Sequence, residues 1–254
     1  MSWALVTGGT SGIGATYARH LAAAGMNVVL VARDKDRLRA TAKDLTETFG
    51  VEVETISADL AVREDVGRVA QRLESGDRPI EVFVNNAGFG IRSKLLDPDT
   101  SVQERAIDVM ITAVLVLGGA AARGMVARGR GHIANISSIS GWIAQGNYSA
   151  IKAWVRVYSE SLSNELHGTG VTATAVCPGW VKTEFHQRAE IKANYPDWVW
   201  IDADVLVRES LKDILAGKVY SVPTLRWKAA RLVVGHGPRA LIGVISRMLA
   251  KSRE

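Results

Sequence analysis

The sequence predicts an α/β protein built on a doubly wound parallel sheet with helices on both faces. Two observations carry this expectation. Short apolar runs rich in valine and isoleucine recur between longer segments of helical period, and the first of these runs ends in a glycine-rich turn that opens directly into a helix. Near-continuous apolar runs suit strands buried on both faces, which is what crossover helices impose on a parallel sheet.

Taken in order, strands are predicted at Ala4–Thr7, Val28–Ala32, Val51–Ala58, Ile80–Asn85, His132–Ser137 and Val171–Cys177. Between them the apolar spacing predicts helices near Ile13–Ala24, Asp36–Phe49, Glu64–Glu74, Ser101–Arg128 and Tyr148–His167. Six strands with five crossovers describe a doubly wound sheet. After Cys177 the pattern loosens into a tryptophan-rich stretch that reads as loop with short helices. Asp202 or Asp204 is expected to cap a further helix that stops at Gly217, and Val219–Val222 reads as a last strand. Two amphipathic segments follow, broken at Gly235-His236-Gly237-Pro238. The expectation is one domain over 1–254, with a substrate-side region at 184–222 and a basic amphipathic C-terminal extension at 223–254.

A chain of 254 residues, 47% of them hydrophobic, can bury a substantial core. Met1-Ser2-Trp3 runs straight into Ala4-Leu5-Val6, leaving no room for a charged and then apolar leader. No stretch approaches the roughly 18 uninterrupted apolar residues of a spanning helix, and the lone Cys177 has no intrachain disulfide partner. A cytoplasmic protein is therefore expected. Its net charge of +5 is unevenly placed: seven basic residues from Arg226 to Arg253 against Glu254 give +6, which leaves −1 for everything before Leu225. A basic balance confined to one end argues against a nucleic-acid surface, where the cations would spread over a face or groove.

The turn Thr7-Gly8-Gly9-Thr10-Ser11-Gly12-Ile13-Gly14 lies between the first strand and the first helix. Glycines there let the backbone approach a pyrophosphate, whose charge then sits on the free N–H groups of the helix N-terminus. Dinucleotide binding in a Rossmann-type fold is the expectation, with Gly8, Thr10, Ser11, Gly12, Ile13 and Gly14 at the cofactor. At the end of the second strand stands Ala32-Arg33-Asp34. Arginine suits a 2′-phosphate through charge-assisted bonds, which favours NADP(H) over NAD(H). Two alternatives stay open: Arg33 as a solvated residue paired with Asp34 or Asp36, and Asp34 turned inward.

Tyr148 and Lys152 stand at i and i+4 on one helix face. A free phenol has a pKa near 10, and an adjacent cation favours the phenolate, so Tyr148 can serve as general acid in reduction and general base in oxidation. Ser137-Ser138, Asn85-Asn86-Ala87-Gly88, Asp59-Leu60 and Pro178-Gly179-Trp180-Val181-Lys182-Thr183 all follow predicted strand ends. In this topology carboxyl ends of strands line the ligand crevice, so these motifs converge on one edge.

From about Ala4 to Thr183 the chain resembles the short-chain dehydrogenase/reductase family, in its shorter, single-domain branch. The residues carrying the resemblance are T-G-x-x-x-G-x-G as Thr7–Gly14, N-N-A-G as Asn85–Gly88, Ser138, Y-x-x-x-K as Tyr148 and Lys152, and P-G-x-V-x-T as Pro178–Thr183. The resemblance implies an oxidoreductase moving a hydride between a carbonyl and an alcohol. It implies that Tyr148 exchanges the substrate proton, Lys152 lowers the tyrosine pKa and bonds the nicotinamide ribose, and Ser138 polarises the carbonyl. By the same resemblance Asp59 and Leu60 meet the adenine end, Asn86, Ala87 and Gly88 pack along the cofactor, and Pro178, Gly179, Val181 and Thr183 lie at the nicotinamide end. The plainer readings have Asp59 capping the next helix, Thr183 as a turn residue, and Asn85 and Asn86 satisfying strand ends. No metal is expected.

Two departures from the family pattern stand out. Met110 occupies the position where many members carry an asparagine that anchors a relay water, and a thioether cannot donate that bond. The interval from Ser138 to Tyr148 is also short, which suggests a trimmed loop and a wider mouth. Trp142, Trp180, Phe185, Tyr195, Trp198 and Trp200 are expected to wall the substrate side and to suit a bulky hydrophobic carbonyl compound, the alternative being that they fill the core. The C-terminal tail packs on the chain's own body or a second subunit, or lies as a peripheral element on an anionic membrane. The helices at Ser101–Arg128 and Tyr148–His167 suggest a homodimer or homotetramer. A cofactor-binding sensor with little turnover is the rival reading, supported by Met110 alone; a lyase or epimerase on the same scaffold fits the short glycine motif less well.

Overall fold

A computed structural model describes residues 2–91, 93–183, 196–237, Gly243 and Ser246. These form a parallel seven-stranded sheet in the order β3-β2-β1-β4-β5-β6-β7. The strands are β1 (Trp3–Thr7), β2 (Asn27–Ala32), β3 (Val53–Ser57), β4 (Ile80–Asn85), β5 (Gly131–Ile136), β6 (Val171–Val176) and β7 (Tyr220–Ser221). All six expected strands are present, and the seventh is shorter than the Val219–Val222 read from sequence.

The helices are α1 (Gly12–Ala23), α2 (Lys35–Phe49), α3 (Arg63–Glu74), α4 (Ser101–Ile107), α5 (Ala113–Val126), α6 (Gly146–Glu165), α7 (Ala203–Leu215) and α8 (Leu225–His236). Alternate residues of each strand face opposite ways, and both faces are buried. Leu5, Val29, Val31, Phe83 and Ile133 meet α3, α4, α5 and α6, while Ala4, Val6, Val28, Leu30 and Val84 meet α1, α2 and α7. Burial on both sides is why the strands read as unbroken apolar runs.

The predicted helix Ser101–Arg128 is not uniform. A π-helical turn, Asp108–Thr112, separates α4 from α5, and such wide turns concentrate at functional sites. The continuous helical run Ser101–Val126 is long and apolar enough to cross a membrane, yet most of it is buried against α3 and the sheet. Asp202, not Asp204, caps α7, accepting the N–H groups of Asp204 and Val205. The helix ends before Gly217, whose φ of 67° is the left-handed conformation glycine permits.

Candidate active site

Strand order reverses between β1 and β4, and at that switch point the carboxyl ends of the strands surround a cavity of about 1310 Å³. Gly8, Thr10, Ser11, Gly12 and Ile13 wall it after β1, Arg33 after β2, Asp59 and Leu60 after β3, and Asn86, Ala87 and Gly88 after β4. Ser138 follows β5, Tyr148 and Lys152 project from α6, and Pro178, Gly179, Val181 and Thr183 follow β6. Gly14 is the sequence-predicted residue placed elsewhere. It is buried beneath the turn, where a Cβ would stand 2.2 Å from the Gly8 carbonyl oxygen and 2.5 Å from Asn86 Nδ2. Its role is close packing of α1 on β1 and β4. Gly14→Ala is therefore expected to lower stability by about 1–3 kcal/mol and to weaken dinucleotide binding, read by chemical denaturation and by cofactor titration.

The cradle fits a pyrophosphate. Gly8 and Gly12 hold φ of 66° and 52°, turning the backbone sharply into α1. The Ser11 side chain makes no cap bond to that helix, whereas Asp34 and Asp202 each accept two backbone N–H groups at α2 and α7. Ser11 and Gly12, where α1 begins, both line the cavity, and a helix N-terminus there suits an anion. Behind the turn, the buried Thr7 hydroxyl accepts N–H bonds from Asn86 (2.9 Å) and Ala87 (3.0 Å), while the Asn86 amide donates to the Thr7 carbonyl at 2.9 Å. Asn85 donates to Val114 O at 3.3 Å and ties β4 to α5. Both asparagines thus secure strand ends, and Asn86 lines the cavity as well.

At the far end Asp34 lines the cavity beside Arg33 and also caps α2. Its carboxylate accepts the N–H groups of Asp36 and Arg37, both at 3.0 Å, and the Arg37 N–H bond chiefly holds its pKa below the usual range. Arg33 and Arg37 line this rim, joined by Arg105 from α4. Asp59 takes both Arg105 Nη2 contacts, at 2.9 and 2.7 Å, and the Ala61 N–H at 3.1 Å. Burial pushes the Asp59 carboxyl upward, but Arg105, the Ala61 N–H and nearby Arg33 outweigh it, so the group is held below the ordinary carboxylate range. Arg37 and Arg105 escape the sequence reading because each enters from a helix face whose direction spacing alone leaves open.

At the other end, Lys152 Nζ lies 5.6 Å from the centre of the Tyr148 ring and donates to Ile136 O at 2.8 Å. The turn of α6 carrying it is pinned to β5 by the Ser137 hydroxyl, which donates to Lys152 O at 2.7 Å. Burial lowers the Lys152 pKa from 10.5 to about 8, with the neighbouring Cys177 acting weakly the other way. Ser138 begins the 3₁₀ turn Ile139–Trp142; its Oγ accepts the Ser140 N–H at 3.1 Å and donates to Pro178 O at 3.4 Å. Met110 sits in the π-helical turn, 1% exposed, and a Cβ on Gly88 would lie 2.9 Å from its Sδ. It lines the cavity between the two ends.

The substrate-side wall is only partly as expected. Trp180 and Trp198 line the cavity. Trp200 instead packs edge-on against Trp180 at 5.8 Å. Trp142 points away, its ring between the guanidinium groups of Arg156 (4.9 Å) and Arg231 (5.7 Å), because stacking on two cations holds it at the α6–β7 edge. Phe185 and Tyr195 lie outside the described residues. Helix α8 presents Arg226, Trp227, Ala230 and Val234 to the cavity. Trp227 lies so close over Gly179 that a Cβ there would stand 2.0 Å from the indole. Arg226 donates to the carbonyls of Trp198 and, at 2.6 Å, Trp200, fastening α8 to that segment.

A crevice with an uncapped helix N-terminus at one end and a tyrosine–lysine pair with a serine at the other defines a nucleotide-dependent oxidoreductase of the doubly wound class. Residues 2–194 match the family described as short chain dehydrogenase. A short-chain dehydrogenase from Sphingobium yanoikuyae, solved in complex with NADPH, is 36% identical, covers 94% of this chain and 97% of its own, and superposes with a TM-score of 0.84. The bulky-bulky ketone specific alcohol dehydrogenase from Comamonas testosteroni is 31% identical, with 94% and 96% covered and a TM-score of 0.79. The very-long-chain 3-oxoacyl-CoA reductase of Anas platyrhynchos is 37% identical over 191 residues, 72% of this chain and 61% of that protein's length. The chain belongs to the short-chain dehydrogenase/reductase family.

Proposed function

We propose that this chain is an NADP(H)-dependent oxidoreductase that interconverts a bulky hydrophobic carbonyl compound and its secondary alcohol. The observation that carries the reading is the meeting of Tyr148, Lys152 and Ser138 on the same cavity as the glycine turn. The nicotinamide cofactor, when bound, supplies or accepts the hydride. Tyr148 gives its phenolic proton to the substrate oxygen in reduction and takes it back in oxidation. The Lys152 ammonium, held by Ile136 O, favours the phenolate and would bond the nicotinamide ribose. Ser138 Oγ turns from Pro178 O to the substrate oxygen and stabilises charge developing there. Leu60, Asp59 and Ala87 would hold the adenine half, and Pro178, Val181 and Thr183 the nicotinamide half.

NADP(H) is favoured because Arg33 and Arg37 face the rim while Asp34 is engaged as a helix cap. A bond from a guanidinium to phosphate contributes about 1.5–3 kcal/mol. Arg33→Ala is therefore expected to weaken NADPH about ten- to a hundredfold with little change for NADH, measured by fluorescence titration. A bulky apolar substrate is supported by the size of the cavity, by Trp180, Trp198 and Trp227 in its wall, and by the named substrates of the duck and Comamonas relatives. Exposed Leu115, Val126 and Val157 on α5 and α6 support a homodimer through those helices.

The test is loss of NADPH absorbance over a panel of ketones and aldehydes. Turnover of bulky ketones by the wild type supports the reading. A wild type that binds NADPH but stays silent, while Met110→Asn turns over, supports the cofactor-sensor reading instead.

A further inference from the structure

The adenosine rim of the cavity carries both signs of charge. Arg33, Arg37 and Arg105 line it together with Asp34 and Asp59. A phosphate dianion is held by guanidinium groups that are not engaged elsewhere, and it is repelled by a carboxylate that is not neutralised. Asp34 is engaged at the first turn of α2, where it accepts the N–H groups of Asp36 and Arg37. Asp59 is therefore the acid that bears on the choice between a 2′-phosphate and a 2′-hydroxyl.

Two arginines act on that carboxylate in different ways. Asp59 Oδ1 accepts the Ala61 N–H at 3.1 Å and Arg105 Nη2 at 2.9 Å, and Oδ2 accepts the same Nη2 at 2.7 Å. Arg105 stands in the last turn of α4, a helix fixed by buried Ala106 and by Gln103, whose Nε2 donates to Lys94 O at 2.9 Å. Arg33 acts on Asp59 only through space, and its side chain makes no hydrogen bond or ion pair among the described residues. Arg105 thus closes on the acid, while Arg33 keeps its donors for a ligand. Without the Arg105 side chain, Asp59 Oδ2 loses that bond and Arg33 is left as the arginine acting on the carboxylate. The carboxylate would then draw Arg33 away from a 2′-phosphate and add its own repulsion. A cofactor with a neutral 2′-hydroxyl is much less sensitive to either effect.

We propose that Arg105 is a positioning residue for cofactor choice: by holding Asp59 it keeps Arg33 free for the 2′-phosphate of NADP(H), without itself contacting that phosphate. The proposal rests on the NADP(H) reading above and is independent of the carbonyl chemistry.

The test is fluorescence titration of the full chain with NADPH and with NADH, read as the ratio of the two dissociation constants. Both cofactors share their adenine, pyrophosphate and nicotinamide groups, so a general loosening of the site cancels from the ratio. The wild type is expected to favour NADPH. Arg105→Ala should cut that preference about tenfold, the scale of one added charge acting on a phosphate across a partly solvated rim. Asp59→Asn on the Arg105→Ala background should bring it back to within about threefold of the wild type, and Arg105→Lys, which retains the cation, should keep most of it. An Arg105→Ala protein with the wild-type ratio overturns the proposal. A double variant as indifferent to the 2′-phosphate as the single one also overturns it, because Arg105 would then be contacting the phosphate itself. Asp59→Asn alone gives a reading that does not depend on the folding of Arg105→Ala: its preference for NADPH should equal or exceed that of the wild type, and a lower one overturns the proposal. A wild type that favours NADH removes the NADP(H) reading and this proposal together, whereas a wild type that favours NADPH whatever stands at position 105 removes the proposal alone.

Discussion

Replacing Tyr148 by phenylalanine is expected to lower kcat for ketone reduction by about a thousandfold while leaving NADPH affinity within a factor of about three. General acid–base catalysis contributes about 10²- to 10⁴-fold, and the phenol is the proton-bearing group of the proposed set. The ring itself remains in Tyr148→Phe, so its packing against the core on the α3, α5 and α6 side of the sheet is preserved. The measurement is stopped-flow NADPH oxidation beside fluorescence titration. A variant as active as the wild type removes the central assignment. A variant that loses cofactor binding in proportion shows instead that the hydroxyl holds the cofactor in place and that proton transfer is not its main contribution.

Most of this end of the site was legible because its signals are local. A tyrosine and a lysine four residues apart share a helix face wherever the helix lies, and a glycine-rich turn between a strand and a helix has one use at a switch point. Strand ends followed by Asn86, Ser138 and Pro178 converge for topological reasons, so knowing the strand order was enough to bring them together. The π-helical turn at Asp108–Thr112 left no trace because five residues of wider winding do not disturb a long apolar pattern. It puts Met110 on the cavity all the same, at the point where the sequence shows no relay group.

The opposite wall was not legible, and the reason is physical. Whether Trp142 faces the cavity or the β7 edge depends on Arg156, Tyr220 and Arg231, which come from three separate elements. The inward turn of Trp227 depends on the absence of a side chain at Gly179, 48 positions earlier in the chain. Neither juxtaposition has a periodicity, so tryptophan content predicted an aromatic wall but not which rings build it. The tail likewise announced its charge, while the division of α8 into an inner and an outer face emerged only with its packing.

Lys152 supplies the second large effect, and its sign is set by burial. With a pKa lowered to about 8, its ammonium is present below that pH and lost above it. Carbonyl reduction, which needs the cation beside Tyr148, should therefore be level in kcat/KM below pH 8 and fall about tenfold per unit above it. Lys152→Met should lose about a hundredfold or more in activity at pH 7 and show no break at pH 8. Stability runs the other way. The native state binds fewer protons than the unfolded state between about pH 8 and 10.5, so the wild-type apoprotein gains stability from this group as pH rises through that window, by about 3 kcal/mol in all. The methionine variant lacks that gain. Its stability relative to the wild type should be greatest below pH 8 and decline toward pH 10.5, as measured by urea unfolding across the range. A constant difference would mean that Lys152 has the same pKa folded and unfolded, so that burial does not lower it. The ammonium would then persist beside Tyr148 toward pH 10.5, and the break in kcat/KM at pH 8 would be absent.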